Sequence, residues 1–259
     1  MSYLRVKKIA LCLLWSISLA ASLTWADTPP PVVEKMPTLT IGTLMFNPPF
    51  ETADTKRNIY SGFEIDMMNA VCQRLKWQCQ YQAFTTIKDV STQLLLGKVQ
   101  VVVASIVVLK GDGEHLFSTP YLPSGIQFFA KKDSKISTMD DILQSKIGTV
   151  NDPLIKTIVA VNYARDLPIS VYDTPQAGIE DLDNGKIDVF VMQTAAVKYW
   201  LSITSGAFKL IGDSHPIGLG NGAMVMNTQK ALIDQINQAL LAMENDGTYS
   251  QIYNRYVFL

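Results

Sequence analysis

Residues 86–108 read TIKDVSTQLLLGKVQVVVASIVV, and this one stretch carries the pattern of the whole chain. Thr86 is placed to cap a helix, with Asp89 at the third position, where an acidic group favours the positive helix end. The helix runs to Leu96, Gly97-Lys98 turns the chain, and Val99 to Val108 follows as a run of mostly β-branched residues. Such a run predicts a central strand buried on both faces, as in a parallel sheet.

The same alternation extends in both directions. Upstream, Leu39 to Leu44 reads as a strand, and Glu64 to Leu75 as a helix with Ile65, Met68, Cys72 and Leu75 on one face. Cys79 to Phe84 is strand again. Downstream, Ile126 to Ala130 is a strand, a helix starts near Thr138, and Lys146 to Val150 is the next strand. Helices open at Asp152-Pro153 and at Thr174-Pro175, because Pro in the first turn lacks only a donor that would be unpaired anyway. Gly185 ends the second of these, and Ile187 to Met192 is the strand that follows. Ala223 to Met226, an amphipathic helix from Thr228 to Asn245 and a terminal helix over Tyr249 to Tyr256 complete the pattern. Strands alternating with helices predict an α/β fold. The economical arrangement is two halves, with the chain leaving and re-entering the first.

The N-terminus sets the compartment. Arg5, Lys7 and Lys8 precede an apolar run from Ile9 to Leu23, which ends at Thr24-Trp25-Ala26. A basic start, a short apolar core and small residues before the cut describe a cleaved secretory signal peptide over 1–26. The run falls short of the roughly 20 residues of a spanning helix. A Pro-rich leader occupies 27–37. Cleavage removes three positive charges, so 22 basic against 23 acidic residues becomes 19 against 23. That mildly acidic balance gives no reason to invoke nucleic acid or an anionic membrane. The two histidines, His115 and His215, show no metal-ligand spacing, and no cofactor motif is present.

Several further motifs occur in register. They are LTIGT at 39–43, PPFE at 48–51, GFEID at 62–66, LLLGKV at 94–99, FSTPY at 117–121, NGKID at 184–188 and NDGTY at 245–249. On these the chain resembles the bacterial periplasmic solute-binding proteins of the polar amino-acid class (family 3). It is nearest in look to the lysine/arginine/ornithine and histidine binders. The resemblance implies the type II periplasmic-binding-protein fold, in which two mixed sheets wrapped by helices are joined by two hinge strands. By that pattern lobe 1 comprises 38–123 and 221–259, lobe 2 comprises 124–220, and the ligand lies between them. The resemblance also implies a disulfide between Cys72 and Cys79, with two free structural thiols as the alternative.

The pocket departs from the family pattern. Members meet a ligand carboxylate with Arg in a Thr-x-x-Arg motif; here that stretch is Val107 to Glu114, with Lys110 as the available cation. The Asp that meets an ammonium corresponds to Gln193, and the Gly-(Ser/Thr)-Thr turn to Asn151-Asp152-Pro153, where Asp152 caps the helix itself. The Asp after the first strand is Leu44. Phe46 is the stacking candidate, since Phe50 packs as core in this motif. The expected ligand-binding residues are therefore Phe46, Asn47, Ser105, Lys110, Asn151 and Gln193, suited to a neutral polar, aromatic or otherwise atypical ligand.

These residues predict a monomeric, non-enzymatic substrate-binding protein of an ABC-type importer, working in the periplasm with a small-molecule ligand and a membrane permease. A sensor, or an accessory to a periplasmic enzyme, is the alternative on the same fold. A prephenate/arogenate-dehydratase-like enzyme fits less well, because such substrates need cationic anchors and a positioned general acid.

Overall fold

A computed structural model describes residues 36–110, 113–163 and 168–256; the expected signal peptide over 1–26 and nearly all of the expected leader lie outside the described residues. The first half opens with β1 (Thr38–Leu44). A small antiparallel sheet follows, made of β2 (Phe46–Asn47), β3 (Glu51–Asp54) and β4 (Ile59–Ser61). Next come α1 (Phe63–Leu75), β5 (Gln78–Phe84), α2 (Ile87–Leu95), β6 (Val101–Val102) and β7 (His115–Phe117).

The second half runs β8 (Gly125–Lys131), α3 (Met139–Ile142), β9 (Ile147–Val150), α4 (Pro153–Asn162) and β10 (Ser170–Tyr172). It continues with α5 (Pro175–Asp183), β11 (Val189–Gln193), α6 (Thr194–Ile203) and β12 (Phe208–Pro216). The chain then returns to the first half through β13 (Met224–Met226), α7 (Lys230–Asn245) and α8 (Thr248–Tyr256).

Each half is built on a five-stranded mixed sheet, ordered β5-β1-β6-β13-β7 in lobe 1 and β10-β9-β11-β8-β12 in lobe 2. In each, four strands share one direction and a single strand, β13 in lobe 1 and β8 in lobe 2, runs against them between the parallel trio and the edge strand. Two crossing segments join the lobes and pair with each other. Leu122 bridges Asn221, and the Ile217 N–H donates to the Ser124 carbonyl at 3.2 Å.

The capping residues act as their chemistry requires. Thr86 Oγ1 accepts from Asp89 N at 3.1 Å, Asp152 Oδ1 accepts from Leu154 N and Ile155 N at 2.8 and 3.1 Å, and Thr174 Oγ1 accepts from Ala177 N. α1 has no side-chain cap; its first N–H groups instead donate to the carbonyls of Pro49 and Phe50, each at 3.0 Å.

Two sequence expectations are corrected. Val99 to Val108 is not one strand: only Val101–Val102 pairs as strand, and the ladder stops before Ser105. Ser105 sits at φ 53°, and its N–H donates to both oxygens of Glu64 at 3.1 and 3.0 Å. A buried carboxylate thus takes the donor a sheet partner would have had. The second correction concerns 194–216, where the sequence reading assigned no element. α6 and β12 lie there, α6 starting directly off β11 without a cap signal, and β12 interrupted by a register shift between Ile211 and His215.

Cys72 on α1 and Cys79 on β5 form a disulfide. Closing so short a loop in the unfolded chain is worth about 2–3 kcal/mol. The double variant C72S/C79S should lose that amount in a denaturant titration without loss of fold. A stability unchanged within about 0.5 kcal/mol would show that the bridge contributes nothing beyond packing.

Candidate functional site

In both lobes the parallel strands end on the same cleft. From lobe 1 come Phe46 and Asn47 after β1, Thr86 after β5 and Ser105 after β6; from lobe 2 come residues at the ends of β9, β10 and β11. This is where open α/β sheets place ligands, because loops and helix starts at the carboxyl ends of strands leave polar groups unpaired. The cleft encloses about 580 Å³ of empty space, counted out to its open mouth.

Of the six residues expected from sequence, Phe46, Asn47, Ser105, Asn151 and Gln193 line this cleft. Lys110 does not. Val108 N–H donates to the Gly220 carbonyl at 2.8 Å, pinning the chain to a crossing segment, and Lys110 emerges exposed beyond it. Thr85, Asp173 and Met192 also line the cleft and were not singled out. Asp173 had one available signal: it directly precedes the Thr174-Pro175 helix start.

Contacts cross the cleft. Gln193 Nε2 donates to the Ser105 carbonyl at 2.8 Å, and Gln193 Oε1 accepts from Asn221 Nδ2 at 2.9 Å. Both ends of that amide are therefore used by the protein. The Phe46 ring lies 6.4 Å from Trp200 of α6, tilted by 53°.

Beneath the lobe 1 side lies a pair of acids. Glu51 and Glu64 are both 0% exposed, and their carboxyls are hydrogen-bonded to each other. Burial, and then the charge of Glu64, push Glu51 well above the usual carboxylate range, so Glu51 holds the proton. Burial raises Glu64 too, but donors pull it back toward ionisation: the Glu51 carboxyl, the Tyr121 hydroxyl at 2.5 Å and the Ser105 N–H. The one Glu51 oxygen that no donor faces, Oε2, is where a proton would sit. Burial, followed by the Glu64 charge, keeps Tyr121 neutral far above ordinary phenol values. Asn47 ties this pair to the cleft, its Nδ2 donating to Glu51 Oε1 at 2.9 Å and to Ser105 Oγ at 2.8 Å.

On the lobe 2 side, burial raises the Asp152 carboxyl, partly offset by the Ile155 and Leu154 N–H groups. Asn151 Nδ2 donates to Asp173 Oδ1 at 2.8 Å. The cleft thus offers hydroxyls, amides, a half-buried carboxylate (Asp152), an exposed one (Asp173) and an aromatic face. No Lys, Arg or His is among the described residues that line it.

A two-lobed α/β frame with a strand-end cleft is shared by many binding proteins, so sequence decides the family. The model of the bacterial extracellular solute-binding proteins, family 3, matches residues 39–258. The chain belongs to that family. Among solved structures, this binding protein is similar to an arginine 3rd transport system periplasmic binding protein from Legionella pneumophila. The two are 34% identical with a TM-score of 0.77, over 85% of this chain and 99% of the other. ABC transporter arginine-binding protein 1 of Escherichia coli (strain K12) is 29% identical over 215 residues, 81% of this chain and 86% of its own length. The lysine/arginine/ornithine-binding periplasmic protein of the same strain is 25% identical over 257 residues, 96% and 95% of the two chains.

Proposed function

We propose that this protein is the periplasmic substrate-binding component of an ABC-type importer, and that it captures a small polar solute by closing its two lobes. It works as a monomer and catalyses no reaction. The observation that carries this reading is the cleft itself, lined from both lobes and bridged by the Gln193–Ser105 bond. A ligand seated there touches both lobes at once, so its binding energy is available to hold them together. The relatives named for arginine binding and for ABC transport support the importer role. The reading as a sensor or an accessory to a periplasmic enzyme draws on one observation, that Gln193 satisfies its own amide within the protein.

Native mass spectrometry of protein purified without denaturation, followed by thermal-shift titration of any retained solute, tests the proposal. A solute at a hundredfold excess over its Kd stabilises by about 2.7 kcal/mol, or roughly 5–10 °C for a chain of this size. A chain that emerges empty, and melts at the same temperature whatever small polar solute is added, is not a carrier.

A further inference from the structure

The charge of the cleft selects among solutes. Its described lining carries two carboxylates and no cationic side chain. Each carboxylate is half used: Asp152 spends Oδ1 on both cap bonds to α4, and Asp173 spends Oδ1 on Asn151. In each, Oδ2 has no such partner and is left for an incoming donor. Of the four helices that open on the cleft, α2 and α4 already hold an acidic residue in the cap or first turn. α5 is capped by Thr174, and α6 begins at Gln193 without a side-chain cap. A helix start is worth about half a positive charge, which does not balance two side-chain carboxylates.

A ligand carboxylate brought into this cleft would meet no side-chain counter-charge among the described lining residues, and burying it so is costly. An ammonium or guanidinium meets the two free Oδ2 atoms, and Phe46 offers an aromatic face to a cation. Ile87, Ile155 and Met192 supply apolar wall for a stem. Resting on the solute-carrier reading above, we infer that the solute is a small organic cation that lacks a carboxylate, an amine or guanidine rather than a zwitterionic amino acid.

Calorimetric titration of the purified protein with matched pairs tests this: agmatine against L-arginine, putrescine against L-ornithine, tyramine against L-tyrosine, and choline against glycine betaine. In at least one pair the carboxylate-free member should bind about tenfold or more tighter. Asp152→Asn keeps a capping side chain and removes the charge, so it should weaken that binding by about tenfold; exposed Asp173→Asn should do likewise without touching a cap. Circular dichroism confirms that both variants are folded. Tighter binding of the carboxylated member overturns the inference and leaves the carrier reading intact. So does a neutral or anionic solute retained in the native mass spectrum while all eight probes fail. Failure of every probe with no retained solute overturns both.

Discussion

Replacing Glu64 by alanine is expected to cost about 3–5 kcal/mol, while Glu51→Gln should leave the protein as stable or more so at neutral pH. The asymmetry follows from which carboxyl is charged. Glu64 accepts from Ser105 N–H, the Tyr121 hydroxyl and protonated Glu51, all buried. Truncation orphans those donors, each at about 1–3 kcal/mol before relaxation, and opens a cavity. A glutamine at 51 still accepts from Asn47 and donates to Glu64, so it mimics the acid that is already neutral.

The same pair predicts the pH dependence. Glu51 is raised above its ordinary value of 4.5, so its contribution is fully present below that value and is lost as pH rises through the raised, folded pKa. Between those limits the native state holds one proton that the unfolded state has released. Stability should therefore fall by about 1.4 kcal/mol per pH unit on this account. Glu51→Gln has no such proton to lose, and the difference between it and the parent protein isolates the effect. Calorimetric melting from pH 4 to pH 9 measures this. Parallel curves for the two proteins would remove the shared proton, and with it the asymmetry.

Gly62→Ala should be the most damaging single-methyl addition, at about 3 kcal/mol or more. Gly62 caps α1 at φ 130°, a region closed to side-chain-bearing residues. A Cβ there would stand 2.2 Å from the Phe50 carbonyl oxygen and 2.8 Å from Glu51 Cα, both backbone atoms that cannot step aside. The crowding has a cause: the 49–51 backbone itself caps α1, Glu64 N–H donating to the Phe50 carbonyl at 3.0 Å. Pushing that segment away would also move Glu51 and, through it, Asn47 in the cleft. Loss of solute binding should therefore accompany the loss of melting temperature. A folded Gly62→Ala protein with unchanged stability would show that the cap is not held by backbone contact.

Motifs with local physics were legible from the residues alone. The caps at Thr86, Asp152 and Thr174, the core placement of Phe50 and most strand–helix alternation depend on neighbours within a few positions. The candidate site was legible where a strand end delivers a residue to the cleft whatever binds there, as at Asn151 and Gln193. Lys110 lies outside the described cleft lining because the turn at Ser105, and the bond from Val108 to Gly220, are set by residues far along the chain. Asp173 was missed because β10 is only three residues long and shows no buried alternation. α6 and β12 were missed for want of a cap signal and an unbroken strand pattern.

The sequence by itself determined the family and the α/β alternation, because these are written in residue identity and spacing. Only the tertiary structure decided which groups face the cleft and which pair with one another. Glu51 and Glu64 lie 13 positions apart and share a proton because burial makes two charges too expensive in one place. Gln193 and Ser105 lie 88 apart and bond because the two lobes meet over the same strand ends. Asp173, brought into the cleft beside Asp152, adds a second carboxylate to the one the helix cap at 152 already places there. Desolvation and charge balance belong to the assembled cleft, and no local pattern encodes them.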